Sequence, residues 1–187
     1  VLTNVAPFWH QYLLAIVITA DRRIHLFGPY EVAVFCIPER WITHMETGYF
    51  ARRLIQLGAP LTSRDRDGET PLHTATVSRN ELVIRLLVKA GADINVLDYR
   101  GLAPLHHACK DENTHIAQVL IRAGADLNQP NRPMGDTPLL MALRIGYRPM
   151  VAILLDAGVD VNRANASGDT PLAVAQGWPC VVEWLKL

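Results

Sequence analysis

Apolar residues recur in adjacent pairs, three to four positions apart, along much of the chain. The clearest set is Val83, Ile84, Leu87 and Val88. It returns as Ile116, Ala117, Leu120 and Ile121, and again as Met150, Val151, Leu154 and Leu155. That spacing places each set on one stripe of a helix and predicts three amphipathic helices with buried apolar faces. The stretch before each predicts a shorter partner helix. In "DGETPLHTA", Thr70 is a suitable N-cap whose hydroxyl can accept a backbone N–H, and Pro71 sits at the first helical position, where its missing N–H matters little. Leu72 and Ala75 begin an inward face, the small alanine permitting close helix contact. Gly91 ends the second helix, where a residue without a Cβ adopts the left-handed conformation easily. "ADINVLDYRG" then runs extended into a turn. Each unit therefore reads as helix, turn, helix and a projecting finger.

The units keep a fixed period. Pro38, Pro71, Pro104, Pro138 and Pro171 recur at sequence intervals of 33, 33, 34 and 33. Gly58, Gly91, Gly124 and Gly158 keep the same frame, as do Gly68, Gly101, Gly135 and Gly168. Three residue series in one frame identify a tandem array. Gly101 is as far from Gly124 as Gly135 is from Gly158, so the extra residue of the third interval lies between Gly124 and Gly135. That segment, "ADLNQPNRPM", reads as a modified loop, because insertions are tolerated in exposed connections.

On these residues the chain resembles the ankyrin repeat family. "DRDGETPLHTATVSRNELVIRLLVKAGADIN" (65–95) carries the TPLH and GADxN signatures, and 98–128 is similar with Ala103 at the capping threonine. Residues 134–162 have Leu140 at the histidine position; 167–187 have Ala173 there and stop inside the second helix. Residues 38–58 read as a degenerate first unit through Pro38, Leu54, Ile55 and "GAP", with Glu39 where the family has leucine. The resemblance implies an all-α ankyrin-repeat solenoid, a right-stacked array of helix-turn-helix units with finger loops. The array would occupy 33–187, divided as 33–64 (degenerate), 65–97, 98–130, 131–164 and 165–187 (truncated). Residues 1–32 would be an atypical N-terminal cap or the end of an upstream domain.

Within 1–32 and just beyond, "RIHLFGPYEVAVFCI" can be read as two short strands around a Gly-Pro turn, or as part of an irregular helical cap. The helical cap is preferred, since the open end of a stack needs apolar cover. Positions 1–20 carry no Asp, Glu, Lys or Arg, but Asn4, Pro7, His10 and Gln11 interrupt them. Only "YLLAIVITA" is strongly apolar, and a helix that short, at about 1.5 Å per residue, cannot cross about 30 Å of hydrocarbon. No basic segment precedes it and no Met starts the chain, so a signal peptide is unsupported and a piece of a longer protein is expected. At the other end, Trp184, Leu185 and Leu187 are apolar positions expected to be covered by further repeats or a partner.

Charge removes several functions. Lys plus Arg and Asp plus Glu number 18 each, so no net field draws in nucleic acid or an anionic membrane. Cys36, Cys109 and Cys180 are odd in number and far apart, which is neither a disulfide framework nor a CxxC zinc motif. An intracellular setting, cytoplasmic or nuclear, fits these thiols. The sequon Asn165-Ala166-Ser167 reads as a chance triplet.

His106, His107, Cys109 and His115 fall within ten residues and invite a zinc reading. The repeat frame disfavours it. His106, like His73, holds the TPLH position, which in the family ties neighbouring loops together. Cys109 falls on the inward stretch and His115 on a separate helix. No phosphate-cradling loop, HExxH or GxSxG elbow is present, and "DRDGE" is not an EF-hand loop, so neither an enzyme nor a cofactor is expected.

Binding is the class the resemblance implies, through the concave face: positions flanking the finger glycine and the outward face of the first helix. Mapped here, these are Arg66, Asp67, Glu69, Thr74 and Val77; Tyr99, Arg100, Leu102, His107 and Lys110; and Met134, Asp136, Met141 and Arg144. Tyr99, Arg100, His107, Met141 and Arg144 are expected at the centre, with His107 pointing outward; aromatic and Arg side chains are over-represented among energetic hot spots. The GADxN asparagines Asn95, Asn128 and Asn162 are candidates for β-hydroxylation, although satisfying loop backbone groups is the favoured role. The expected function is a protein–protein interaction module of a larger protein. The alternatives are a targeting or regulatory domain of an enzyme or channel whose catalytic part lies elsewhere, or an enzyme itself.

Overall fold

The computed structural model describes residues 44–185 and the strand backbones Ile16–Ile18, Arg23–Leu26 and Ala33–Cys36. It comprises two compact units, Val1–Asp93 and Ile94–Leu187.

In the first unit the three strands β1 (Ile16–Ile18), β2 (Arg23–Leu26) and β3 (Ala33–Cys36) form an antiparallel sheet in that order. Ile16 pairs with Leu26 and Ile18 with Ile24; Arg23 pairs with Cys36 and Leu26 with Ala33. The helical cap is therefore not found at these positions. Two strands fall within "RIHLFGPYEVAVFCI", the Gly-Pro turn between them lying outside the described residues, and Ile16–Ile18 adds a third strand. The Ile, Val and Phe content of these runs suits a pleated surface better than a helix. Pro7, Pro38 and Glu39 lie outside the described residues.

Strand β1 runs beside α1 (His44–Gln56) and α2 (Pro71–Val77), and α3 (Glu81–Lys89) packs on both helices. Their shared core is Ala51, Leu54, Leu72, Ala75, Val83, Ile84 and Leu87, all buried. Among the described residues a single helix, α1, precedes the α2–α3 pair.

The second unit repeats one hairpin. Helices α4 (Pro104–Lys110) and α5 (Thr114–Arg122) lie against α6 (Pro138–Ile145) and α7 (Arg148–Asp156). Helix α8 (Pro171–Val174) packs on α6, and a single 3₁₀ turn (Ala175–Gly177) joins it to α9 (Pro179–Trp184). The apolar pairs land where the period requires: Ile116, Ala117 and Leu120, then Met150, Val151 and Leu154, are fully or almost fully buried. Burying each such side chain contributes roughly 1.5–3 kcal/mol, which makes this stripe the main source of stability.

Local chemistry sets the ends of these helices. Asn80 and Asn113 cap α3 and α5, their side-chain oxygens accepting from Val83 N and Ile116 N at 3.1 Å. Thr137 and Thr170 accept from Leu140 N and Ala173 N at 3.3 Å, in the expected capping manner. Thr70 differs: its hydroxyl lies 2.9 Å from His73 Nδ1, which also accepts the Thr70 N–H at 3.1 Å. A histidine three residues on captures the cap position, whereas Leu140 and Ala173 leave it to the threonine.

The loops inside the hairpins hold a left-handed residue at one repeated position: Arg79 (φ 56°), Glu112 (φ 53°) and Gly146 (φ 92°). In the fourth copy the N-cap Trp178 follows Pro171 by 7 positions, where Asn80, Asn113 and Tyr147 follow their prolines by 9, so this loop is two residues shorter. The 3₁₀ turn Ala175–Gly177 after the short α8 takes the place of the left-handed turn in this shortened loop.

Candidate functional site

Each finger is closed at its base by an Asp or Asn whose side chain accepts its own downstream N–H groups. Asp65 Oδ1 accepts from Asp67 and Glu69 at 2.9 and 2.8 Å, and Asp98 Oδ1 from Arg100 and Leu102 at 2.9 and 2.8 Å. Asn165 Oδ1 accepts from Ser167 and Asp169, both at 2.9 Å. In these fingers the base residue donates its N–H to the carbonyl four residues on: Asp65 to Glu69, Asp98 to Leu102, Asn165 to Asp169. The remaining finger spans five, with Asn131 N–H bonded to the Asp136 carbonyl at 2.9 Å and Asp136 N–H to Asn131 Oδ1 at 2.8 Å. The extra residue therefore sits in the tip, Arg132-Pro133-Met134-Gly135. Sequence reasoning passes over the finger-base role of Asp65, Asp98, Asn131 and Asn165, although their spacing of 33, 33 and 34 keeps the repeat frame.

In the second unit the fingers are joined backbone to backbone. Arg132 N–H donates to the Gly101 carbonyl at 3.2 Å, and Ala166 N–H to the Met134 carbonyl at 3.0 Å. Gly101 permits the approach twice over: its φ is +75°, and a Cβ there would lie 2.6 Å from the Arg132 nitrogen. Below the tips, Asn95 Oδ1 accepts from Asp126 N and Asn128 Oδ1 from Asp160 N, both at 2.9 Å. Gln129 Nε2 adds a bond to the Asn95 carbonyl at 2.8 Å. Two of the three hydroxylation candidates thus tie successive finger stems. The third, Asn162, is exposed and donates its N–H to Asp160 Oδ1 at 2.9 Å.

The expected partner-binding residues divide by exposure. Tyr99 and Met134 are 71% and 61% exposed, and Arg66, Asp67, Val77, Arg100, Lys110 and Arg144 are exposed as well. Glu69 and Met141 are half-buried. Thr74, Leu102, His107 and Asp136 are buried.

His107 corrects the expectation of an outward-pointing side chain. Its Nε2–H donates to Asp98 Oδ2 at 3.0 Å, so it braces the finger base from the first helix. Asp136 plays a related part, meeting Arg144 Nε at 3.1 Å and Asn165 Nδ2 at 2.7 Å. Arg144 reaches on to Asp169 Oδ2 at 2.6 Å, a bond that raises its already high pKa. Of the buried candidates, His107 and Asp136 brace the fingers through their side chains, and the exposed ones face solvent.

The residues that invited a zinc reading have other employment. His106 Nδ1 accepts from Ala103 N, and its Nε2–H donates to the Asp136 carbonyl, both at 3.2 Å, tying one repeat to the next as expected of the TPLH histidine. A backbone N–H can only donate, so the ring is the neutral Nε2–H tautomer. Burial favours the same state, pushing the pKa down from 6.5 to about 4. Burial also pushes the Cys109 thiol up to about 12, keeping it protonated. His115 lies on α5, exposed.

In the first unit, the hollow lined by Ala51, Leu54, Ile55, Pro71, Val83 and Leu87 presents no titratable side chain. No described helix is long and apolar enough to cross a membrane.

The family model described as "Ankyrin repeats (3 copies)" matches residues 45–131 and 105–186. No curated protein matches the chain.

Proposed function

Because the chain belongs to the ankyrin repeat family, a family of protein-interaction modules, we propose that it binds a partner protein through its finger tips and the adjoining first-helix positions. One observation carries this reading. The fingers of the second unit are locked to one another through the backbone, yet their tips present Tyr99, Arg100 and Met134 to solvent. A rigid support with large exposed side chains binds at low entropic cost, since little is left to order on association. The repeat frame does not prescribe Tyr99 or Met134 at these positions, whereas an interface centre favours aromatic, Met and Arg side chains. The exposed Arg66, Asp67 and Val77 are the corresponding contributions of the first unit.

The module works without catalysis in this reading, inside the cell, where the free thiols Cys109 and Cys180 stay reduced. Affinity capture followed by cross-linking mass spectrometry tests it. Cross-links should fall on or beside the finger tips of a saturable complex. A saturable partner cross-linked only to α5 and α7 would refute the placement.

A further inference from the structure

Resting on the binding reading above, we infer that the hairpin loops of the last two repeats form a second contact edge. Its occupant is a partner segment that sets an Asp or Glu carboxylate on Arg148 and an apolar side chain beside Ile145 and Trp178. Trp178 is lodged against the turn between α6 and α7. A Cβ on Gly146 would lie 3.3 Å from Trp178 Cζ2, so the indole rests on bare backbone there. Arg148 Cζ stands over the same ring, 5.7 Å from its centroid. Ile145 is 39% exposed, Arg148 is exposed and Trp178 is half-buried.

The capping positions set these two repeats apart. Asn80 and Asn113 cap α3 and α5 through their side chains, whereas Tyr147 and Trp178, at the same position of α7 and α9, make no cap bond. An aromatic residue there forgoes the stabilisation that a cap supplies. It also puts an amphipathic ring at the loop surface, the kind of side chain that interface centres favour.

Charge identifies the occupant. Residues 77–82 and 110–115, the equivalent stretches of the preceding repeats, contain Glu81, Asp111 and Glu112. Residues 144–149 and 176–180 contain Arg144 and Arg148 and no carboxylate. Arg144 is taken by Asp136 and Asp169. Among the described residues the Arg148 guanidinium meets only the indole. A ring face attracts a cation but brings no negative charge, and it leaves the in-plane N–H groups of the guanidinium to solvent. A carboxylate matches those groups in two-point geometry. Because the indole already holds the fork, less side-chain freedom is lost when the carboxylate arrives. Ile145, next to Gly146 in the chain, and the accessible part of Trp178 add apolar surface, which calls for an apolar side chain beside the acidic one.

The test is display selection of a random-peptide library on the whole chain, with counter-selection against the Arg148→Glu variant. Peptides that pass both steps are then measured by fluorescence anisotropy. They should place Asp or Glu next to an apolar residue and lose at least roughly tenfold in affinity when that acid is exchanged for its amide, about the value of one good contact. Ile145→Ser should weaken them as well, with a melting temperature close to that of the parent. Peptides without acidic bias, binding indifferent to the amide exchange or to Ile145→Ser, or an empty selection would overturn the inference and leave the binding-module reading standing. That wider reading falls only if affinity capture also yields no saturable partner. Should Arg148→Glu melt below the parent, Arg148→Gln takes its place in the counter-selection, since it removes the charge and the fork without introducing an acid.

Discussion

At the scale of single residues, Asp98 and His106 have the most consequential surroundings. Asp98 accepts from Arg100 N, Leu102 N and His107 Nε2, so Asp98→Ala should orphan three donors at a buried site. A loss of about 1–3 kcal/mol is expected in urea unfolding, and finger contacts should loosen with it. His106 sets a pH dependence. The unfolded chain takes up the proton near 6.5 and the folded one at about 4, so between those values the unfolded state binds more protons. Stability should therefore fall as pH drops from 6.5 toward 4, by up to about 1.4 kcal/mol per pH unit from this group. His106→Leu, which copies the buried Leu140 of the next repeat, should flatten that slope in urea midpoints taken at pH 7, 6 and 5. Identical slopes would show that His106 is not the group responsible. The role of His106 was legible in the sequence because the repeat motif names its position. The burial of His107 was not: it depends on Asp98, nine residues upstream, folding back under the ring.

Among the elements, the second helices were readable almost residue by residue, since burial of an apolar stripe leaves a direct periodic trace. Their asparagine caps Asn80 and Asn113 were readable in principle from the residue type before each helix. The sheet formed by β1, β2 and β3 was the harder case. Short runs such as "IVI" and "AVFC" fit a strand or a buried helix equally by pattern alone, and β-branching decided it. The insertion could be bracketed from glycine spacing but placed in the finger tip only by the pairing of Asn131 with Asp136. The left-handed loop position yields a paired prediction. Gly146→Ala should lower the melting temperature, by about 1–2 kcal/mol of stability, since it strains φ and sets a Cβ 3.3 Å from Trp178. Glu112→Gly at the matching position should raise it slightly, because the left-handed conformation suits glycine. Shifts of the same sign in both variants would contradict this view of the loop.

For the whole molecule, the division of labour is between residues that build the repeats and residues that the repeats display. The frame accounts for prolines, glycines, capping side chains and the apolar stripe. Tyr99 and Arg100 are what it leaves over on one finger, and they are exposed. That subtraction was possible from the sequence, because a constant period separates repeated from unrepeated positions. Side-chain direction needed coordinates, which bury Thr74, Leu102, His107 and Asp136. The binding-module reading stands or falls on whether the displayed residues contact a partner without supporting the fold. Its most direct test is titration calorimetry of a captured partner against the Tyr99→Ala, Arg100→Ala double variant, with thermal unfolding alongside. Binding should weaken by about 1–3 kcal/mol for a hot-spot residue, with the melting temperature unchanged. Parental affinity in the double variant would contradict it.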